Sequence, residues 1–162
     1  MTNNQKECCP KFNSERWNNK THEWNNKQFI KESIPTLFHI PFPPMIGAKI
    51  TKMCKVAEES GKACRELSDV LMLFHDPSPF KSEIFMSVEG PVPTANNVQI
   101  SGTFISRVFD GPYNATPKFI KEMDEYLAAD EKKAKDYYVH YAYCPGCAKK
   151  FGHNYTVLFA EV

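Results

Sequence analysis

Apolar positions along this chain change their spacing several times, and each change marks an element. Ile46, Ile50, Met53, Cys54 and Ala57 fall at i, i+4, i+7, i+8 and i+11. That one-sided stripe predicts an amphipathic helix, which Gly61 can end in a left-handed turn. A second stripe, Phe119, Ile120, Met123 and Leu127, predicts a helix running to about Ala129. Thr116 is read as its cap and Pro117 as its first residue. Elsewhere the period is two. Over 82–89, Ile84, Met86 and Val88 face one way, and Glu83, Phe85, Ser87 and Glu89 the other. Over 98–109, Val98, Ile100, Gly102, Phe104 and Val108 share a face, with Gly102 marking a bulge or a close backbone approach. Residues 70–75, 136–144 and 155–162 read as shorter strands, and Pro/Gly-rich turns separate them.

The first 34 residues lack such a pattern. They are polar and rich in Asn and Lys, and Trp17-Asn18-Asn19-Lys20 recurs as Trp24-Asn25-Asn26-Lys27. Two copies are too few for a coiled coil. The expectation is an irregular N-terminal arm over 1–34, pinned by its tryptophans onto one globular unit over 35–162. Each half then reads extended–helix–strand–strand, an α+β class with two main helices against an antiparallel sheet.

Composition narrows the function. The chain has 162 residues, 42% of them hydrophobic, enough for one domain with its own core. A net charge of +1 offers no field to hold nucleic acid or a membrane surface. No apolar run approaches the length of a membrane span, and the N-terminus has no apolar segment of a secretory signal. A cytoplasmic location is the expectation. Oligomeric state is left open.

Six cysteines in a reducing compartment point to thiols or metal ligands before disulfides. Cys144-Pro145-Gly146-Cys147 has metal-ligand spacing in a turn, and Cys8-Cys9 is a second close pair. Four thiolates from the two ends would make a structural zinc clasp, although adjacent cysteines are less usual ligands. Structural thiols, a redox dithiol and a haem site stay open beside it. No Gly-x-Ser-x-Gly element is present, so acyl-enzyme chemistry has little support.

The stretch VQISGTFISRVFDGPYNATPKFIKEMDEYLAA, with its Phe109-Asp110-Gly111-Pro112-Tyr113 turn, resembles the signature of GyrI-like small-molecule-binding domains. The whole chain is similar to a subgroup of small bacterial proteins labelled hydrolases, through Cys8-Cys9-Pro10-Lys11-Phe12, Pro43-Pro44-Met45-Ile46-Gly47 and the Cys144–Tyr155 region. The resemblance implies a pseudo-twofold α+β domain with a cleft between its halves. The cleft would bind planar or cationic compounds, and some relatives hydrolyse cyclopropanoid alkylating agents. It further implies that an acidic residue on the strand of Glu83 looks toward the ligand.

Glu83 is therefore the candidate base, provided that burial raises its carboxyl toward neutrality. Tyr113, aimed by a rigid Gly-Pro turn, is a second candidate. Phe85, Tyr138, His140, Tyr141, Tyr143 and Trp24 are candidate ligand-binding residues. Alternation puts Tyr137, Tyr141 and Tyr143 on one face with Val139, and Tyr138 with His140 on the other. Which face meets the ligand stays open. The leading reading is a hydrolase acting by carboxylate-activated water on a strained or electrophilic aromatic compound, with no required cofactor. The rivals are a non-catalytic sequestration protein for planar or cationic toxic compounds and a cysteine-based zinc or redox protein.

Overall fold

The computed structural model describes residues 9–38, 40–41, 43–143 and 145–162. Its elements run β1 (Lys20–Leu37), β2 (Ile40–Pro41), α1 (Pro43–Glu59), β3 (Met72–Ser78), β4 (Lys81–Ser87) and β5 (Asn97–Asp110), then α2 (Thr116–Ala129), β6 (Asp136–Tyr141), α3 (Pro145–Phe151) and β7 (Tyr155–Glu161). With the short β2 and α3 set aside, the order strand–helix–strand–strand occurs twice, as expected, although the first strand is β1 and not the proline-rich stretch after residue 35.

Six strands pair in the order β1-β4-β3-β6-β7-β5, and β5 pairs back onto β1. The sheet closes into a small antiparallel barrel, which leaves no open edge among these six strands. Its interior is filled by Trp17, Phe29, Leu71, Leu73, Phe85, Phe104, Val157 and Phe159. The helices cover the outside. The α1 stripe packs on Ile30, Ile34, Ile84 and Met86. The α2 stripe packs on Ile105, Phe109, Leu158 and Ala160. Strands buried on both faces explain why β4 and β7 bury nearly every residue. No helix among the described residues is long and apolar enough to cross a membrane.

The irregular arm expected over 1–34 is corrected here. From Lys20 onward it is the longest strand of the barrel, bridging β4 and β5. The boundary drawn between residues 34 and 35 falls inside β1. A register shift between Trp24 and Lys27 hides the strand from a periodicity reading. The bulge moves the inward face from even to odd positions, so Trp24 and Phe29 point the same way. Asn26 takes the positive φ of 51° that the bulge needs. Opposite it, Gly102 sits at φ +147°, and a Cβ there would lie 3.3 Å from the Phe104 ring.

Thr116 is a second correction. It is the first helical residue, and Ala115 holds the cap position without a side-chain hydrogen bond. The Thr116 hydroxyl donates instead to the Tyr113 carbonyl at 3.0 Å. The segment after Cys144 forms the short helix α3 rather than a turn alone.

Candidate functional site

Glu83, Phe85 and Ser87 alternate with Ile84, Met86 and Val88 along β4, and the barrel turns the first set inward. The antiparallel hairpin places His75 directly across from Glu83. On the other side β1 sets Ser33 opposite Glu83 and Lys31 opposite Phe85. Strand β6 joins β3 through the pair Leu73–His140, which brings Tyr138 and Asp136 along the same inner face. Four strands thereby converge on one carboxylate.

The Lys31 ammonium forms an ion pair with Oε2 of Glu83. Nδ1 of His75 lies 3.1 Å from Oε1 of Glu83, and its Nε2 lies 2.7 Å from Oδ2 of Asp136. A neutral imidazole can donate to only one of these carboxylates, so both contacts are satisfied together when the ring carries both protons. The Glu83 side chain is 9% exposed, His75 15% and Asp136 44%, so the series runs from interior to surface. Tyr138 stacks on His75 at 4.9 Å and 22°. Phe85 meets Tyr138 edge-on at 5.8 Å, and the Lys31 ammonium stands 5.8 Å from the Phe85 ring centre. Trp24 extends the frame, lying tilted against Phe104 at 4.3 Å, which meets Tyr138 at 6.0 Å.

Burial by itself pushes the Glu83 carboxyl up, but hydrogen bonds and charge from Lys31 and His75 outweigh it and hold the group below the usual range. The expected rise toward neutrality is corrected accordingly. Burial pushes the Tyr138 phenol up to about 12, reinforced by the charges of Asp136, Glu161 and Glu83. Three carboxylates therefore surround this ring.

The faces of β6 divide as alternation predicts. Tyr138 looks into the barrel, while Tyr137 and Val139 pack toward α2. Tyr141 follows the outer set, meeting Phe74 at 5.5 Å and Tyr113 at 5.2 Å. Tyr113 donates to the Tyr143 carbonyl at 2.9 Å. Neither tyrosine is brought together with Glu83. Tyr143 is buried beyond the strand end, where its hydroxyl accepts the Phe12 N–H at 2.8 Å and its ring stacks on Phe151. His140 shares the inner face, but burial pushes its imidazolium down to about 4. Its Nδ1 lies 3.2 Å from both the N–H and the carbonyl oxygen of Met72.

Lys31, His75 and Asp136 were not among the residues singled out by sequence. His75 had a usable signal, since it alternates with Leu71 and Leu73. Lys31 lay within the stretch misread as an arm. Cys8 and Cys144 lie outside the described residues, while Cys9 is half-buried and Cys147 buried. Cys54 packs as the apolar stripe predicts, 3.8 Å from the Met86 sulfur. A small pocket under Lys11, Phe12, Arg16 and Trp17 lies apart from the Glu83 cluster.

A family model described as bacterial hydrolase matches residues 1–162. The chain belongs to that family. No curated protein matches it. Among solved structures, the C-terminal domain of EcmrR is similar with a TM-score of 0.66 at 10% identity, covering 90% of this chain and 96% of that one. A hydrolase from Listeria innocua gives 0.61 at 11% identity, covering 89% and 91%. SAV2435, solved bound to tetraphenylphosphonium, gives 0.55 at 11% identity, covering 89% and 93%. At such identities the likeness is one of fold.

Proposed function

We propose that this member of the bacterial hydrolase family binds a planar, electrophilic aromatic compound at the Glu83 end of the barrel and hydrolyses it. The ligand would enter a cleft between the two strand–helix–strand–strand halves. One observation carries the reading: an ionised carboxylate, Glu83, stands inside a frame of Phe85, Tyr138 and Trp24, linked through His75 to the surface carboxylate of Asp136. A general base must be deprotonated before it acts, and Lys31 and His75 keep Glu83 so. In a strained-ring substrate, the water oxygen bonds to the electrophilic carbon while Glu83 takes a water proton. The breaking ring bond carries its electron pair into the aromatic system, and the proton held by Glu83 finally quenches it. A net charge of +1 favours a small molecule over nucleic acid as ligand. The proposed setting is the cytoplasm.

The test is a chromatographic assay of wild type and Glu83→Gln with a cyclopropane-bearing alkylator, reading bound ligand and ring-opened product together. Turnover lost in Glu83→Gln with binding retained supports the hydrolase. Saturable binding without product in the wild type favours sequestration instead. That second reading draws on the Lys31 pairing, which weakens Glu83 as a base.

The zinc clasp of Cys8, Cys9, Cys144 and Cys147 remains a separate structural proposal. It is supported by the Phe12–Tyr143 hydrogen bond, which brings the chain just after Cys9 to the residue before Cys144. One zinc per chain, lost in Cys147→Ser, is the expected metal analysis. Protein purified without chelator that holds no metal overturns it.

A further inference from the structure

The aromatic surfaces at the Glu83 end already carry cations, and the chain supplies both. Lys31 pairs with Glu83 and stands 5.8 Å from the centre of the Phe85 ring. Lys27 stands 5.9 Å from the centre of the Trp24 ring. Its register partner is Ile100, which packs against the barrel interior. An organic cation is recognised by the same two features, a carboxylate and a π face. Here its seats are taken. The charges facing this end are Glu83 from β4, Asp136 from β6 and Glu161 from β7, set against Lys31 from β1 and the His75 ring from β3, while Lys27 of β1 lies further along the same aromatic frame, over Trp24 and near His22.

We infer that Lys31, supported by Lys27, is a specificity determinant that turns this site away from cations and toward neutral aromatic compounds bearing a hydrogen-bond acceptor. The inference rests on the reading of the Glu83 end as the ligand site. A cationic ligand would have to expel the Lys31 ammonium from Glu83 or sit against it, and either costs binding energy. A neutral ligand leaves the pair intact. An ammonium has three donors, and Glu83 uses one side of Lys31, so a carbonyl-type oxygen on the ligand can take another. Lys31 would then both orient the ligand and draw electron density toward that oxygen. The Lys31 side chain is 26% exposed, so it is not sealed off from an incoming group.

The experiment is calorimetric titration with two probes of similar aromatic bulk, tetraphenylphosphonium chloride and triphenylphosphine oxide. The wild type should bind the neutral oxide more tightly than the cation. Lys31→Met should shift the ratio of the two affinities toward the cation by about tenfold or more. Lys31→Arg, which keeps the charge, should retain the wild-type preference. Lys27→Met should shift the ratio in the same direction as Lys31→Met by a smaller factor, and it carries the test should Lys31→Met fail to fold. An unchanged ratio in a folded Lys31→Met, or a wild type that prefers the cation, overturns the inference while leaving the site in place. Failure of both probes to bind wild type and variants alike overturns the Glu83 end as a ligand site, and the inference with it.

Discussion

Nδ1 of His75 lies 3.1 Å from Oε1 of Glu83, across one register pair of the β3–β4 hairpin. The opposite oxygen of Glu83 is held by Lys31 from the neighbouring strand. A carboxylate gripped from two strands is a structural tie as well as a chemical group, and its removal should register in stability.

Glu83→Gln is expected to destabilise the fold by about 1–3 kcal/mol at neutral pH, because it leaves the partly buried Lys31 ammonium against an uncharged amide. Lys31→Met should have a similar cost. The double variant should cost less than the sum of the two, with a coupling near 1 kcal/mol or more in a urea-denaturation cycle. Additive single-variant effects would show that the pair is not coupled.

Acid should loosen the barrel in two stages. His140 is pushed from 6.5 down to about 4 by burial, so the folded chain binds fewer protons than the unfolded chain between those values. Stability therefore falls as pH drops from 6.5 toward 4, by up to roughly 3 kcal/mol from this residue. His22, lowered by burial and by Lys27, acts in the same direction below 6.5. Glu83 is lowered from 4.5, so its contribution is present above that value and is lost as pH falls through its folded-state value. Melting curves across pH should show both stages, and His140→Gln should shrink the first. A first stage of full size in that variant would assign it elsewhere.

Gly102→Ala should destabilise by about 1–3 kcal/mol. Its φ of +147° is rarely adopted by residues with a side chain, and the added Cβ would lie 3.3 Å from Phe104 and 3.5 Å from the Glu161 carboxylate. Because Phe104 carries Trp24, tryptophan fluorescence of the folded variant should shift as well. A midpoint equal to wild type would mean that the strand relaxes freely at the bulge.

A chain beginning at residue 35 should not fold. It lacks the greater part of β1, whose Lys20–Ile34 span closes the barrel between β4 and β5. Far-UV circular dichroism would show loss of the sheet signal. A cooperative melt from that shortened chain would contradict the barrel closure.

Much of this architecture was legible in the chain. The stripe at Ile46, Ile50, Met53 and Ala57 and the alternation at Ile84, Met86 and Val88 each reflect a local period tied to one buried face. Alternation set Glu83 on the face opposite Ile84, Met86 and Val88, and only the resemblance pointed that face toward a ligand. Lys31 was not legible, since the bulge at Asn25-Asn26 breaks the period that would have marked its strand. Asp136 was passed over because a carboxylate at a strand start ordinarily faces water, and only the β3–β6 pairing sets it against His75.

Local periodicity and turn chemistry by themselves determine two amphipathic helices and the strands that follow α1, because each depends on neighbours within a few residues. The tertiary structure alone decides that the sheet closes, that the Tyr138 face of β6 is the inner one, and that Lys31 and His75 meet at Glu83 with Asp136 behind His75. Those facts depend on pairings between strands far apart in the chain, and pairing register leaves no mark on the spacing of residues within a single strand.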